Sequence, residues 1–192
     1  MMNLNTLFSR ALLALALLAG AGAAAASPIY HVALDTAGAT GEGGLQIDFL
    51  PFATNDVLTA TISGLSGAFT GTPELVNVTQ SGGSYTFKSD AFSEFFQTIT
   101  LGDKFGFDVT FGGLPTDGGS TGLTVSLIGA TGDYLSYAAA QISLQQGSAP
   151  VVTVDPGVAA VTPAAAVPEP SDLLLVASGL MLLTWTQRRR VR

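Results

Sequence analysis

Short stretches in which large apolar residues alternate with small or polar ones restrict the fold of this chain more than any other feature. The alternation is clearest over residues 105–111 and recurs over residues 45–49 and 123–127. A repeat of two is the period of a strand that is buried on one face. It predicts strands, and it places one face of the first stretch at the centre of the core: Phe105, Phe107, Val109 and Phe111.

Glycine-rich turn sequences separate these stretches from about seven weaker ones of the same kind. Gly82-Gly83, Gly112-Gly113 and the run 131–133 supply residues that favour turns. About ten short strands with such spacing predict an all-β domain, a β-sandwich or jelly-roll-like fold, over residues 27–155. One exception is expected at residues 90–97, where apolar residues recur at helical spacing and predict one or two helical turns.

The acidic balance of the central region excludes several classes of partner. Residues 27–167 contain twelve Asp and Glu residues and two Lys residues, a net charge of −10. Binding of nucleic acid or anionic lipid needs clustered Lys and Arg side chains, so neither is an expected partner. The chain has no cysteine, which excludes disulfides, thiol nucleophiles and cysteine-ligated metal sites.

Few residues are candidates for catalysis. His31 is the only histidine, and no G-x-S-x-G motif marks a nucleophile for it, so we expect it to be exposed and not catalytic. Two carboxylates that meet in space can cleave a glycosidic bond, and Glu42, Glu74 and Glu94 are the glutamates available. None of these glutamates lies in a recognisable catalytic sequence motif. We therefore predict a non-enzymatic domain, with a glycan hydrolase as one alternative.

Sugar binding would depend on tyrosines. The only tryptophan, Trp185, lies in an apolar run near the C-terminus, so the central region has none to offer as a flat platform. The four tyrosines are the remaining candidates: Tyr30, Tyr85, Tyr134 and Tyr137. Tyrosines at strand positions also pack in cores and across strands, and both interpretations stay open.

Calcium is the metal that the sequence favours most, and its candidate ligands are weak. Asp35, Glu42 and Asp48 border a loop-rich stretch between the first two strands. Calcium takes six to eight oxygen ligands and accepts them from such loops, although no D-x-D-x-D-G loop is present. The alternative is that these Asp and Gly residues only form turns.

The N-terminus has the form of a secretory signal peptide over residues 1–26. Arg10 precedes an apolar run over residues 11–18. Ala24 and Ala26 provide small residues at an A-x-A-like cleavage site, and Ser27 would begin the mature chain. An N-terminal membrane anchor is the alternative, but the run ends in Gly and Ala with no second flank.

The C-terminus combines three signals after a linker predicted over residues 156–167. A short motif comes first: Val167, Pro168, Glu169, Pro170 and Ser171. An apolar run over residues 173–185 follows, and it predicts a short transmembrane helix over residues 173–187. Basic residues close the chain and would stay in the cytoplasm: Arg188, Arg189, Arg190 and Arg192.

This motif, span and arginine cluster, over residues 168–192, resemble the PEP-CTERM sorting signal of Gram-negative bacteria that make exopolysaccharide. An Asp-rich pattern of strands and turns is also similar to that of the exported domains found ahead of such tails. It occurs in two stretches, YHVALDTAGATGEGGLQIDF and FGFDVTFGGLP. The resemblance implies export, processing by an exosortase-type enzyme, transient anchoring in the inner membrane, and a final place at the cell surface or outside the cell. The alternative is an ordinary anchor that is never cleaved.

The function predicted from these features is that of a secreted, sorted surface or extracellular-matrix protein. It would act without catalysis, together with exopolysaccharide, in a biofilm or floc. A carbohydrate-binding module with a defined glycan is the first alternative, and the glycan hydrolase is the second.

Overall fold

The computed structural model describes residues 28–52 and 54–164, and these residues form strands and turns with no helix. The strands are β1 (Ile29–Asp35), β2 (Glu42–Phe52), β3 (Thr59–Ser66), β4 (Phe69–Val76), β5 (Val78–Ser81), β6 (Ser84–Lys88), β7 (Ser93–Thr100), β8 (Lys104–Phe111), β9 (Ser120–Ile128), β10 (Tyr134–Gln145), β11 (Val151–Val154) and β12 (Ala159–Ala164).

The strands form two antiparallel sheets of six strands each. The first sheet has the order β12-β1-β8-β3-β6-β5, and the second has the order β11-β10-β9-β2-β7-β4. Each sheet turns its apolar face towards the other, and one buried cluster draws residues from both sheets. The predicted all-β class and the β-sandwich are thus confirmed.

The centre of the core lies where the alternation in the sequence is strongest. On β8 the four large residues Phe105, Phe107, Val109 and Phe111 are each at most 5% exposed. The Phe111 ring lies 6.0 Å from the Tyr30 ring in its own sheet and 6.3 Å from the Phe49 ring in the second sheet. Phe111 therefore joins the two sheets, and the predicted core face is confirmed.

Gly67 closes the turn between β3 and β4 over the core. Its φ of 136° is one that other residues rarely adopt. A Cβ atom at this position would lie 2.2 Å from the Phe105 ring. A residue with a side chain would thus clash with the core, and glycine is needed for both reasons.

The helical turns predicted over residues 90–97 are wrong. Residues Ser93–Thr100 form β7, which pairs with β2 on one side and with β4 on the other. Phe95 is buried in the core, whereas the neighbouring Phe96 lies on the outer face. Aromatic residues on both faces of one strand hide the period of two, and they imitate the spacing of a helix.

The linker predicted over residues 156–167 is also partly wrong, since it contains β12. This strand pairs with β1 from Ala164 opposite Ile29 to Ala159 opposite Leu34. The Asp155 carbonyl accepts hydrogen bonds from the Val158 and Ala159 amides at 3.1 and 2.9 Å, which turns the chain from β11 into β12. The folded domain therefore extends to residue 164 and not to residue 155.

Several predictions fall on residues outside the described ranges. These are the signal peptide over residues 1–26 with its cleavage site, the sorting motif over residues 167–171, the helix over residues 173–187 and the terminal arginines. Over residues 28–52 and 54–164, no helix is long and apolar enough to cross a membrane.

Candidate functional site

Tyr134 and Tyr137 form an exposed aromatic pair on the outer face of the second sheet. Their side chains are 49% and 71% exposed, and the ring centroids lie 5.2 Å apart at an interplanar angle of 85°. The other two tyrosine candidates, Tyr30 and Tyr85, are buried in the core. The structure thus brings two of the four candidates together at the surface and assigns the other two to packing.

An irregularity in β10 presents Tyr137 to solvent. The pairing of β10 with β9 shifts register twice, between Tyr134 and Ser136 and between Ser136 and Ala140. Ser136 turns inward and donates a hydrogen bond to Asp155 Oδ2 at 2.8 Å. Ala138 has a φ of 57°, a conformation that costs a non-glycine residue about 1–3 kcal/mol. Bulges of this kind commonly redirect a side chain, and this one places both tyrosines on one side.

An apolar strip extends from this pair across the sheet. The Phe96 ring lies over Gly44, where an added Cβ atom would come within 2.5 Å of it. Gly44 pairs with Ile128, and Ile128 pairs with Tyr134. We call Phe96, Gly44, Ile128, Tyr134 and Tyr137 the aromatic strip. It crosses β7, β2, β9 and β10, a distance of about 15 Å at the usual spacing of strands.

A network of hydrogen bonds runs beside the aromatic strip. The Tyr134 hydroxyl donates to Gln46 Oε1 at 3.4 Å. Gln46 Nε2 donates to both oxygens of Asp48, at 3.2 and 3.1 Å, and to Glu94 Oε2 at 3.0 Å. Carboxylates only accept hydrogen bonds, so the amide turns its nitrogen to them and its oxygen to the tyrosine. Asp48 and Glu94, which share this nitrogen, are called the acid pair.

The acid pair gives this face an unusual electrostatic character. Asp48 is only 9% exposed, and this burial raises its pKa above the ordinary value of 3.8. The hydrogen bond from Gln46 opposes the rise in the pKa, and the charge of Glu94 adds to it. Among the described residues the bases are His31, Lys88 and Lys104, and all three lie in the first sheet. No described base therefore offsets the acid pair on its own sheet.

The three glutamates predicted as candidate catalytic carboxylates are distributed unequally. Glu94 lies beside Asp48, and Glu74 lies on β4 opposite Phe96, on the same outer face. Glu42 is at the start of β2, opposite Thr100. Two neighbouring carboxylates, one of them with a raised pKa, have the composition that acid–base chemistry on a glycan requires. Within residues 28–52 and 54–164, the acid pair is thus the place that best suits the hydrolase alternative.

The structure does not bring the three weak calcium candidates together. Asp35 lies in the first sheet, where its carboxylate is 3.6 Å from Lys104 Nζ. Glu42 and Asp48 lie on β2 in the second sheet, six residues and therefore about 20 Å apart. Among residues 28–52 and 54–164 no three His, Asp or Glu side chains are grouped so that they could hold a metal ion.

His31 lies on the outer face of the first sheet, as predicted for an exposed histidine. Its Nδ1 atom is hydrogen-bonded to Asp108 Oδ1 at 2.8 Å, and the two side chains are 52% and 44% exposed. Ser66 approaches from β3, but its hydroxyl donates to the Gly106 carbonyl at 3.1 Å. Asp108 could therefore orient His31, but the Ser66 hydroxyl is not directed at the His31 ring.

A second pair of carboxylates fastens two loops at one end of the sandwich. Asp117 accepts hydrogen bonds from the Asn55 amide at 2.6 Å and the Thr54 hydroxyl at 2.9 Å. In return, Asp56 Oδ2 accepts from the amide and the hydroxyl of Thr116. Hydrogen bonds from backbone amides, led by that of Asn55, lower the pKa of Asp117. We interpret this clasp as structural, since its acceptor atoms are already engaged.

Sequence reasoning did not predict Gln46, Gly44, Phe96 or Ile128 as parts of a site. Gly44 belongs to the pair Gly43-Gly44, a sequence that favours a turn, and Phe96 lies in the stretch predicted to form helical turns. The available signal was the period of two in β2, which places Gly44, Gln46 and Asp48 on one face. No protein-family model, curated protein or solved structure matches the chain.

Proposed function

We propose that this is an exported, non-enzymatic protein of the cell surface or extracellular matrix that binds extracellular polysaccharide in a biofilm or floc. The aromatic strip is the observation that carries the proposal. A sugar ring has apolar C–H faces and hydrogen-bonding edges, so it is recognised by exposed aromatic rings with polar groups beside them. The aromatic strip and the Gln46 network supply both on one face.

The exposure of the tyrosines supports binding over packing. Rings that serve the fold are covered, as Tyr85 is against Phe95 at a centroid distance of 4.8 Å. Tyr137 is 71% exposed and is held there by a bulge with an unfavourable backbone conformation. A strained backbone that holds an exposed ring in place is a reason to suspect a contact with a ligand.

The polar groups beside the aromatic strip suit a ligand with many hydroxyl groups. Asp48 and Glu94 accept hydrogen bonds only, and Gln46 already donates to both of them. A ligand that donates hydrogen bonds can add to this network without displacing it. The hydroxyl groups of a polysaccharide are such donors.

Export and sorting complete the proposal. The N-terminal signal, the motif around Glu169 and the terminal arginines support secretion, processing by an exosortase-type enzyme and release from the inner membrane. Only residues 165–167 separate β12 from Pro168. The intact mass of the exported protein tests this part. A product that ends near the motif is expected, and a product that keeps residues 173–192 would indicate an ordinary anchor.

The strand order supports a jelly-roll-like arrangement within the β-sandwich. β1 to β4 alternate between the two sheets, and β6, β7 and β8 alternate again. The central orders β1-β8-β3-β6 and β2-β7-β4 are those of strands that cross from sheet to sheet. The aromatic strip occupies the outer face of the second of these sheets.

A glycan hydrolase is the second candidate, and the acid pair is the observation that favours it. A carboxyl with a raised pKa, that of Asp48, beside a second carboxyl group could supply the two groups that protonate a glycosidic oxygen and stabilise the transition state. Release of reducing sugar from polysaccharide, lost in Glu94→Gln, would establish this function. The non-enzymatic proposal predicts no release.

Binding is tested by electrophoresis of the protein through gels that contain single polysaccharides. We expect retardation by at least one polysaccharide, and a loss of about tenfold in affinity for Tyr137→Ala. Phe92→Ala is the matched control, because Phe92 is 44% exposed and lies outside the aromatic strip. Retardation that is equal for the two variants would contradict the proposed face.

A further inference from the structure

We infer that the aromatic strip binds an uncharged polysaccharide along its length, with the glycan chain running across the strands. The inference rests on the proposed function and adds the class of ligand and its direction. It depends on three features of the second sheet: the continuity of the strip, its open ends and the distribution of charge.

The aromatic strip is continuous because Gly44 has no side chain. The Phe96 ring occupies the space over Gly44, and a Cβ atom there would meet two ring atoms, at 2.5 and 2.8 Å. Ile128 lies next, since its Cβ is 3.6 Å from that same position. Tyr134 pairs with Ile128 and contacts Tyr137. Rings and aliphatic groups therefore follow one another across four strands, over about 15 Å.

The end of the aromatic strip at the tyrosines is open. β11 pairs only with residues 140–143 of β10, so no described strand continues the sheet beside Tyr134. Tyr137 is the most exposed of the large apolar residues that the structure describes. At the other end the strip meets β4, where Thr72 and Glu74 are exposed. A ligand could leave the strip at either end, which suits the interior of a long chain better than its terminal residue.

The charges on the second sheet discriminate between classes of polysaccharide. Glu74, Glu94 and Asp48 all lie on the outer face that carries the strip. The described bases lie in the other sheet. An acidic polysaccharide would bring its carboxylates close to these acids without any base to pair with, whereas hydroxyl groups can donate to the acids. The complementary occupant is therefore a neutral glycan.

Calorimetric titration of the full chain in a neutral detergent tests this inference. The neutral probes are hexasaccharides of β-1,4-glucose, β-1,3-glucose, β-1,4-mannose and N-acetylglucosamine, each with its monosaccharide. The acidic probe is a hexasaccharide of uronic acid. We expect at least one neutral hexasaccharide to bind about tenfold or more tightly than its monosaccharide and than the acidic probe.

Two variants test the path across the strands. Phe96→Ala removes the ring at the far end, and Gly44→Ala displaces that ring without removing it. Both should weaken hexasaccharide binding about three- to tenfold. Phe92→Ala, at an exposed ring outside the strip, should leave it unchanged. If Gly44→Ala fails to fold, Phe96→Ala alone tests the path across the strands. Phe96 lies on the outer face, so its truncation should leave the core intact.

The inference and the proposed function fail in different ways. Tighter binding of the uronic acid probe, or equal affinity for a monosaccharide and its hexasaccharide, would overturn the inference while leaving a glycan-binding protein. Hexasaccharide binding that depends on Tyr137 but not on Phe96 would also overturn it. Absence of binding to all probes would overturn both.

Discussion

The two outer faces of the sandwich differ although the two sheets share one core. In the first sheet every phenylalanine and tyrosine ring faces inward, and the outer face carries small hydroxyl and charged side chains such as Thr61, Thr86 and the His31–Asp108 pair. In the second sheet Phe96, Tyr134 and Tyr137 face outward beside the acid pair. Packing of the core accounts for the rings of the first sheet, whereas the three outer rings of the second sheet take no part in the core cluster.

Two departures from ordinary folding rules lie on the second sheet. Ala138 has a positive φ, and Asp48 is buried with a raised pKa. A protein tolerates such features where function requires them, since each makes the folded state less stable than it could be. On the proposed function, the outer face of the first sheet serves solubility and the outer face of the second sheet serves binding.

The largest effect should come from a core residue of the first sheet. Phe107→Ala removes a ring that is 0% exposed, and such truncations cost about 3–5 kcal/mol of a stability of about 5–15 kcal/mol. Asp108→Ala, on the outer face, should be mild because its hydrogen bond to His31 is half exposed. Denaturant unfolding measures both. Equal losses would mean that the outer face of the first sheet also supports the fold.

The next effect should come from β12, at the edge of the first sheet. A chain that stops after Val158 lacks the ladder with β1 and the partly buried Val161. We expect the free energy of unfolding to fall by roughly 2–3 kcal/mol, after the entropy of ordering the strand is deducted. A chain that stops after residue 164 is the control. Equal thermal midpoints would restore the interpretation of this segment as a linker.

A smaller effect should come from the clasp between the loops. The pKa of Asp117 is lowered in the folded state, so its stabilisation is present above the unfolded value of 3.8 and is lost as the pH falls through the folded pKa. Asp117→Asn should lower the midpoint at pH 7 by about 3 °C. The difference between variant and parent should vanish in acid. A difference that is independent of pH would exclude the carboxylate as its source.

The smallest effect should have the opposite sign. The pKa of Asp48 is raised in the folded state, so the folded protein holds this proton more tightly, and ionisation destabilises it as the pH rises above 3.8. Asp48→Asn should therefore raise the midpoint at pH 7 by about 1 °C and change it little below the unfolded pKa. A decrease at pH 7 would mean that the acid pair stabilises the fold and is not kept for binding.

The strands and core were predictable because burial on one face leaves a period of two. The pattern over residues 105–111 identified the central strand and its inner face correctly. The same logic failed at β7, where Phe95 and Phe96 occupy opposite faces, and at β12, where Ala, Thr and Pro resemble a linker. Strands that bury little, or that carry apolar residues on both faces, lose the periodic signal.

Little of the candidate site could be predicted, because it depends on partners distant in sequence. Gln46 meets Glu94, and Phe96 covers Gly44, only after β2 and β7 pair in a particular register. Which tyrosines would be exposed depended on the bulge in β10, which has no clear sequence signal. The sequence identified the class of residue, tyrosine, and the structure was needed to choose Tyr134 and Tyr137.

The most direct measurement is the map of backbone and aromatic NMR shifts as a neutral hexasaccharide is added to the protein. We predict that the perturbed shifts centre on Tyr137, Tyr134 and Phe96. They should extend to Gln46 and spare the residues around His31. Perturbations on the outer face of the first sheet, or none at saturating hexasaccharide, would contradict the claim that the second sheet carries the binding face.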